Sequence, residues 1–228
     1  KFKSSNKLVL EEFLEGEEVS YFLIVDKKNF SFIGSAQDHK CVGENETGPN
    51  TGGMGAYSPA PIINKSLEKK ILNKIVKPTL RALKERKNPY TGFLYVGLMI
   101  KNNEPYLIEY NVRMGDPECQ VIMPRLKTDL VKILNAALEN KLNKIKIKWN
   151  KNKCMTTVLC AKGYPNKYVA NKIINLQQIK LNKKSFILHA GTKFKGNTLI
   201  SNGGRVLNIV VMGNTFLNIR KKIFQIMK

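Results

Sequence analysis

The pattern of apolar and polar positions predicts a chain rich in short strands. Apolar and β-branched runs bounded by turn residues predict strands at residues 8–12, 19–26, 30–36, 92–101, 104–111, 155–161, 186–189 and 205–212. Residues 26–29 (DKKN) predict a turn between the second and third of these strands. Asn102 and Asn103 tolerate positive φ and therefore predict a tight hairpin between the fourth and fifth strands.

Helical spacing of apolar residues predicts three helices. The first begins with Ser66 as its N-cap and runs to about Lys87, with a kink at Pro78. The third runs from Asn214 onward. The second covers residues 128–142 and has one apolar face, formed by Leu130, Ile133, Leu134 and Leu138.

Two further segments have a distinctive composition. Residues 37–61 contain five glycines and predict a long loop, and structureless loops of that length are usually functional or disordered. The run Asp116-Pro117-Glu118 has the composition of a helix start, with an acceptor at the N-cap, proline at the first position and an acid in the first turn.

The order of these elements indicates a mixed α/β fold in two units. The basic segment 144–153 contains the sole tryptophan, Trp149, and is interpreted as a connector between residues 1–143 and a smaller unit, residues 154–228. The first residues precede a strand that has no earlier partner, and the terminal helix stops without a cap. We therefore expect the second unit to be incomplete, or the chain to work beside another piece.

Composition and charge narrow the location and the partners. The chain has 39 basic and 17 acidic residues, a formal charge of +22, but the lysines are spread along its whole length. Arginine clusters and interleaved aromatic residues are missing, so solvated faces are favoured over nucleic-acid binding. No apolar stretch of about 18 residues occurs, which excludes a membrane-spanning helix, and no signal peptide is evident. The predicted location is cytoplasmic, with all four cysteines reduced.

One predicted strand carries three polar groups at alternate positions. Alternate side chains of a strand share a face, so Glu109, Asn111 and Arg113 are expected to point the same way. A carboxylate and an amide oxygen suit Mg²⁺, and a guanidinium suits phosphoryl oxygens. A half-exposed strand with polar residues outward is the alternative.

Two segments earlier in the chain, an acidic run and a glycine-rich run, are candidates for ligand contacts. In residues 11–18 (EEFLEGEE), a bend at Gly16 could bring Glu11 and Glu18 to one pocket, although a solvated acidic turn is the alternative. Residues 37–40 (QDHK) lead into residues 47–59 (TGPNTGGMGAYSP), whose glycines allow backbone N–H groups to approach a ligand. This run matches neither common phosphate-loop motif, and a merely flexible loop remains possible.

Together these motifs closely resemble the phosphoribosylamine–glycine ligase family, which consists of ATP-grasp ligases of de novo purine synthesis. The resemblance rests on residues 11–18, 37–40 and 47–59 and on Arg113-Met114-Gly115-Asp116-Pro117-Glu118. It extends to residues 90–95 (YTGFLY), 189–193 (HAGTK) and 202–206 (NGGRV), and so covers nearly the whole chain. It implies that residues 1–143 form part of an ATP-grasp domain, with an antiparallel sheet and packed helices, followed by a smaller C-terminal domain.

The resemblance also implies roles for individual residues. Adenine would meet Glu11 and the Leu14 backbone, the ribose hydroxyls would meet Glu18, and Mg²⁺ or Mn²⁺ would bind Glu109 and Asn111. Arg113 would stabilise the transferring phosphoryl group with help from Lys40. Contacts to glycine or phosphoribosylamine are implied for Asp38, Asn50, Thr51, Gly52, Gly53, Gly55, His189, Thr192 and Arg205.

The chain departs from the family pattern in two respects. Residues 94–100 carry no carboxylate, whereas many ATP-grasp enzymes supply a further metal ligand there, so phosphates and water would complete the metal shell. Cys41 replaces a residue that is more often basic. Asp116 and Glu118 would hold Arg113 or begin their helix, and the helix role is favoured for Glu118.

The implied reaction is an ATP-dependent ligation of glycine to 5-phosphoribosylamine through glycyl phosphate. Neither nucleic acid nor membrane is an expected partner, and the family's N-terminal portion is missing from the chain, so the fragment alone is expected to be inactive. Two alternatives stay open: an ATP-grasp ligase with another acceptor, and a basic nucleic-acid-binding fragment without catalysis.

Overall fold

A computed structural model describes residue 8 and residues 10–228, without the side chain of Glu46. The described residues form ten strands: β1 Glu17–Val25, β2 Phe30–Cys41, β3 Asn50–Ser58, β4 Gly92–Lys101, β5 Glu104–Asn111, β6 Lys153–Cys160, β7 Ser185–His189, β8 Thr192–Lys195, β9 Thr198–Ser201 and β10 Arg205–Gly213. The α-helices are α1 Lys65–Ile71, α2 Lys77–Glu85, α3 Cys119–Ile122, α4 Leu130–Leu138 and α5 Phe216–Met227. A π-helical turn, Leu72–Val76, joins α1 to α2.

Eight of these strands form one sheet, in which neighbouring strands pair antiparallel. The strand order is β5-β4-β1-β2-β3-β6-β10-β7, and β8 pairs with β9 in a separate hairpin. The predicted mixed α/β class with an antiparallel sheet and packed helices is confirmed. Because β3 pairs with β6, the sheet continues across the segment 144–153, and the division into two units at that segment stays a prediction.

Alternation along β1 divides the core between the two faces of the sheet. Phe22 and Ile24 pack with Tyr95, α3 and α4 on one face, whereas Tyr21 and Leu23 pack with α1 and the π-helical turn on the other. A third cluster lies between α5 and β10. No helix in the described part of the chain is long and apolar enough to cross a membrane, and all four cysteines are free thiols.

Several predicted elements are confirmed. The β1–β2 turn falls at residues 26–29, and the β4–β5 hairpin turns at Asn102 and Asn103, both with positive φ. The strands predicted at 155–161, 186–189 and 205–212 correspond to β6, β7 and β10. The predicted kink at Pro78 stays a prediction; the π-helical turn ends at Val76, two residues before this proline, which has no N–H to donate to the preceding turn.

The predicted loop at residues 37–61 is wrong, because most of it is strand. β2 continues to Cys41, and Asn50–Ser58 form β3, which pairs with both β2 and β6. Glycines allow this close pairing: a Cβ on Gly55 would lie 2.7 Å from the Thr156 carbonyl oxygen. The hairpin formed by β8 and β9 was not predicted at all.

Three boundaries also differ from the prediction. The strand predicted at residues 8–12 is not found: Leu8 and Leu10–Glu12 lie outside any strand, and both leucines are almost fully exposed. Val9 lies outside the described residues. The first helix is capped by Asn64, whose Oδ1 accepts from Leu67 N at 2.9 Å, so Ser66 lies within the helix. Helix α4 is capped by Asp129 and ends at Leu138, whose side chain is exposed rather than packed.

Candidate functional site

Strand register places the candidate polar residues on one face of the sheet. Ser20 on β1 pairs with Gly97 on β4, which in turn pairs with Glu109 on β5. Tyr95 pairs with Asn111 two residues further along the same strands, and therefore on the same face. A pocket of about 130 Å³ opens on this face, lined by residues that include Glu18, Ser20, Lys40, Tyr95 and Glu109.

Glu109 and Asn111 lie side by side at the edge of this pocket. Asn111 Nδ2 donates to Glu109 Oε1 at 2.9 Å, so the Asn111 Oδ1 and the second Glu109 oxygen are directed elsewhere. Gly97 leaves room for the carboxylate, because a Cβ there would lie 3.2 Å from Glu109 Cγ. The two residues offer hard oxygen atoms, the ligand type that Mg²⁺ prefers, and Mg²⁺ usually retains several waters and substrate phosphates.

The described residues contain no metal site made of three or more carboxylate, histidine or cysteine side chains. A divalent ion at this pocket would therefore share its shell with ligands that do not come from these residue types. The pair Glu109 and Asn111 fits an ion held jointly with nucleotide phosphates, and does not fit a structural ion enclosed by protein.

The expectation that Arg113 shares the face of Glu109 and Asn111 rests on a strand that does not reach it. Strand β5 ends at Asn111, so the rule of alternation stops there. The exposed Arg113 guanidinium donates to the Met114 carbonyl oxygen at 3.1 Å. Arg113 therefore lies on the loop after β5 and is not among the residues that line the pocket.

Glu18 and Lys40 form an ion pair on the opposite side of the pocket. Lys40 Nζ lies 2.6 Å from Glu18 Oε2, and the two side chains are 40% and 43% exposed. Burial disfavours the charged lysine, but the hydrogen bond that Lys40 donates to Glu18 and the charges of Asp38 and Glu18 hold the pKa of Lys40 above its ordinary value. Lys40 thus stays cationic.

Beneath this pair lies a buried carboxylate that the sequence interpretation assigned to a helix start. Glu118 is 5% exposed, and its Oε1 accepts from Ser20 Oγ at 3.0 Å. As predicted, it stands at the start of the short helix α3, where its backbone carbonyl accepts from Ile122 N at 3.1 Å, but its side chain makes no capping hydrogen bond. Ser20 also lies 3.3 Å from the Tyr95 hydroxyl, which links the carboxylate to the pocket wall.

Two carboxyl groups near the pocket have raised pKa values. Burial is the main cause for both Asp38 and Glu118; Glu18 raises the pKa of Asp38 further, and Asp38 raises that of Glu118. The folded state therefore retains a proton that the unfolded chain has already released. Stability is full below the ordinary carboxyl pKa and falls as the pH rises through the window up to the folded-state pKa.

Replacement of Glu118 by glutamine is expected to stabilise the chain at pH 8. Glu118→Gln removes a buried charge but keeps an oxygen that accepts from Ser20, so the free energy of unfolding should rise by about 1 kcal/mol at pH 8 and change little at pH 4. Urea denaturation at both pH values measures this difference, with the exposed Glu85→Gln as control. A loss of stability at pH 8 would mean that Lys40 already compensates the carboxylate.

The residues expected to bind glycine or phosphoribosylamine fall into two groups. The first group makes contacts within the sheet. Thr51 Oγ1 donates to the Lys40 carbonyl at 2.7 Å and accepts from Gly53 N at 3.0 Å. Gly55 is buried against β6. Asn50 and Gly52 are exposed, although the Asn50 Oδ1 accepts from the Cys41 thiol.

Arg205 clamps the glycine-rich strand onto the loop that follows β5. Its Nη1 donates to the Gly52 carbonyl at 2.6 Å and to the Asp116 carbonyl at 3.1 Å, and its Nη2 lies 2.8 Å from Asp116 Oδ2. Tyr164 supports the same point, since its hydroxyl accepts from Gly52 N at 3.1 Å. Asp116 therefore holds Arg205 rather than Arg113.

The remaining predicted contacts lie at the periphery. His189 Nδ1 and Thr192 Oγ1 are 3.0 Å apart, next to the Arg205 backbone, which accepts from Gly191 N. Glu11 is exposed and Leu14 is half-buried, both before β1, and of the two acids Glu11 and Glu18 the pocket lining includes Glu18. Gly16 packs directly on the Ile100 carbonyl of β4, which accounts for the predicted bend.

Sequence reasoning missed Ser20, Tyr95 and Tyr164. Ser20 carried a usable signal, because it is a polar residue within the apolar run of β1 at a core-facing position. Tyr95 alternates with Leu94 and Val96 and looks like an ordinary strand residue. Tyr164 lies in a segment without regular structure, and nothing in the local sequence points to its contact with Gly52.

Comparisons with known proteins agree with this geometry. The family model of the phosphoribosylglycinamide synthetase ATP-grasp (A) domain matches residues 1–119, and that of the C domain of the same family matches residues 154–228. A phosphoribosylamine–glycine ligase of Vibrio vulnificus is 42% identical over 99% of this chain and 53% of the relative; one of Vigna unguiculata is 47% identical over 91% and 68%.

Solved structures give the same result. A crystal structure of phosphoribosylamine–glycine ligase from Thermotoga maritima superposes with a TM-score of 0.83 at 33% identity, covering 95% of this chain and 53% of that one. The biotin carboxylase domain of a thermophilic 2-oxoglutarate carboxylase, at 14% identity and a TM-score of 0.64, shares the fold alone.

The predicted ATP-grasp fold is thereby confirmed, and the chain spans about half the length of most of the relatives it matches. The family models, the relatives and the paired Glu109 and Asn111 point to one assignment: this chain belongs to the phosphoribosylglycinamide synthetase family, the phosphoribosylamine–glycine ligases.

Proposed function

We propose that the chain supplies the nucleotide and metal site of an enzyme that ligates glycine to 5-phosphoribosylamine at the expense of ATP. The observation that carries the proposal is the pair Glu109 and Asn111, held side by side across a pocket from Glu18 and Lys40. A divalent ion and a nucleotide triphosphate are the ligands that match such a set of oxygen donors with a cation opposite.

Each residue near the pocket has a role in this proposal. Glu109 and Asn111 hold Mg²⁺ or Mn²⁺, which when bound neutralises charge on the nucleotide phosphates. Glu18 receives the ribose hydroxyls, and Glu11 with the Leu14 backbone receives adenine. Lys40 lines the pocket and is kept cationic by its neighbours, and Arg113 is exposed on the loop after β5; in the proposal both bind phosphoryl oxygens.

The reaction follows from what these groups can stabilise. A carboxylate oxygen of glycine attacks the γ-phosphorus of ATP, which forms glycyl phosphate and releases ADP. The amine of 5-phosphoribosylamine then attacks the carbonyl carbon, loses a proton and expels phosphate. Both steps place negative charge on oxygen, which Arg113 and Lys40 offset, and neither step needs a side-chain nucleophile.

The glycine-rich strand and its clamp form the proposed substrate side. Asp38 and the backbone from Asn50 to Gly55 contact glycine or phosphoribosylamine, with His189 and Thr192 closing the pocket from residues 154–228. Arg205 acts through its hold on the Gly52 and Asp116 carbonyls, which fixes the exposed backbone that the substrate would meet. We place this chemistry in the cytoplasm.

Because the chain spans about half the length of most relatives, we propose that the remaining half completes the nucleotide site. The 228-residue chain alone should bind MgATP weakly and form no ADP when glycine and phosphoribosylamine are added. ADP formation that requires both substrates would contradict this inactivity but would support the ligase assignment.

Glu109→Gln tests the observation on which the proposal rests. The substitution preserves shape and removes the negative charge, so the gain in ATP affinity on addition of Mg²⁺ should shrink about tenfold. Calorimetric titration of ATP with and without Mg²⁺ measures that gain. Glu104→Gln on the same strand is the matched control, because Glu104 pairs with Lys70 and Lys74 away from the pocket. An undiminished gain in Glu109→Gln would refute the metal site.

A further inference from the structure

A second cavity, separate from the candidate nucleotide pocket, carries an excess of positive charge. It has a volume of about 240 Å³ and lies between the β1–β2 turn and helix α2. One carboxylate lines it, Asp26, against five cations, which leaves a net charge of +4: Lys27, Lys28, Lys77, Arg81 and Lys84.

The two cavities lie at opposite ends of β1 and belong to opposite faces of the sheet. Glu18 stands at the start of the strand and Asp26 directly after its end, about 26 Å away at the usual rise per residue. Leu80 of α2 packs with Tyr21 and Leu23, whereas the nucleotide pocket lies on the face of Phe22 and Tyr95. A ligand in one cavity therefore cannot reach the other.

The single carboxylate of this cavity is already engaged. Asp26 Oδ1 accepts from Lys28 N at 2.7 Å and Asn29 N at 2.5 Å, and its Oδ2 accepts from Leu142 N at 3.1 Å. Burial works against its charge, but these N–H groups keep the pKa of Asp26 below its ordinary value. Asp26 thus fixes the turn that presents Lys27 and Lys28, and leaves their charges largely uncompensated.

The three cations of α2 share one side of the helix. Lys77, Arg81 and Lys84 are spaced by four and three residues, so their side chains are neighbours and repel one another. None of the five cations belongs to an ion pair found among the described residues; Lys77 Nζ donates to Asn73 Oδ1, a neutral acceptor, at 2.8 Å. An anion in the cavity would relieve this repulsion.

Two aromatic residues complete the cavity. Phe30 and Tyr90 are half-buried in its lining, and the Tyr90 hydroxyl donates to the Phe93 carbonyl, which holds the ring in place. We propose that this cavity binds the polyphosphate chain of a small anion, with the α2 and turn cations contacting the phosphates. A flat group attached to that chain would pack on the two rings.

A double charge reversal on α2 tests this proposal. Inorganic tripolyphosphate, in 150 mM NaCl free of divalent metal, is expected to bind the 228-residue chain and to bind Arg81→Glu/Lys84→Glu at least tenfold more weakly by calorimetry. The matched control is Lys65→Glu/Lys69→Glu on α1: both lysines are exposed and outside the cavity, and the net charge falls from +22 to +18 in either variant. The control should retain affinity within twofold.

A second variant covers the case in which the reversal on α2 disturbs folding. Lys27→Gln/Lys28→Gln leaves the turn intact, because Asp26 holds the turn through backbone N–H groups, and should weaken binding about threefold to tenfold. ATP should bind at least as tightly as tripolyphosphate if its base packs on Phe30 and Tyr90. No binding to the unchanged chain would overturn the proposal. An equal loss of tripolyphosphate affinity in the α1 control would also overturn it. So would tighter binding of a single-stranded oligonucleotide than of tripolyphosphate, if the α1 and α2 variants lose that oligonucleotide affinity equally.

Discussion

Gly53→Ala is expected to lower the free energy of unfolding by about 3 kcal/mol, through backbone strain and overpacking together. Gly53 has φ +109, a region that residues with a Cβ rarely adopt. A Cβ at this position would collide with Pro117 Cδ and lie 3.3 Å from the Asp116 carbonyl oxygen. Urea denaturation followed by circular dichroism measures the loss.

Gly196→Ala separates the two causes. Gly196 also has positive φ, +58, but a Cβ there would meet nothing within 4 Å. Its replacement should therefore show backbone strain alone, about 1 kcal/mol. Equal losses in the two variants would mean that the contact between β3 and the loop before α3 contributes nothing to stability, and that the glycine-rich strand is not held as described.

Arg205→Ala should destabilise the chain by about 2 kcal/mol, because it removes several charge-assisted hydrogen bonds at once. The guanidinium joins β10 to the Gly52 carbonyl and to the carbonyl and carboxylate of Asp116, residues far apart in sequence. Its side chain is 23% exposed, so solvent can replace only part of what is lost. Arg205→Lys keeps the charge but loses the planar guanidinium with its several donors. Its stability should therefore lie between that of the unchanged chain and that of Arg205→Ala.

The ion pair of Lys141 with Glu139 provides the control for Arg205. It has a similar distance, 2.7 Å, but both partners are more than half exposed, and Lys141→Ala should change stability by less than about 0.5 kcal/mol. If Arg205→Ala were equally neutral, the clamp would be an ordinary surface contact. The proposed positioning of the Gly52 backbone would then have to be abandoned.

Gly53 and Arg205 both contribute to the contact between β3 and the loop before α3. Gly53 allows the loop before α3 to approach β3 closely, and Arg205 ties that loop to the same strand. The loop also carries Arg113 and leads to Glu118, so the junction connects the glycine-rich strand with both. Damage there should therefore weaken the candidate site as well as the fold.

Where sequence prediction succeeded, the signal was local. The β4–β5 hairpin was predicted from two consecutive asparagines, and the structure has positive φ at both. The side-by-side placement of Glu109 and Asn111 follows from the period of two in a strand, which any extended segment obeys. The family was recognised from contiguous motifs, and the comparisons confirm it.

Where prediction failed, the deciding contacts were distant in sequence. The glycine-rich run has no side-chain periodicity, so only pairing with β2 and β6 makes it a strand. Glu118 stands at the start of α3, as its local sequence predicts, but its side chain is buried and accepts from Ser20 on β1, 98 residues earlier in the chain. Asp116 was predicted to hold Arg113 or to begin its helix, whereas in the structure its carboxylate pairs with Arg205, which is 89 residues later in the chain.

The sequence by itself determined most strands of the large sheet, the β1–β2 and β4–β5 turns, the acid and amide of the candidate metal site and the family, because propensity, alternation and contiguous motifs act within a few residues. The tertiary structure alone decided which carboxylates are buried, which cations are already engaged, and where a glycine is required by a close approach. These depend on which distant segments meet in space, and no local pattern encodes that choice.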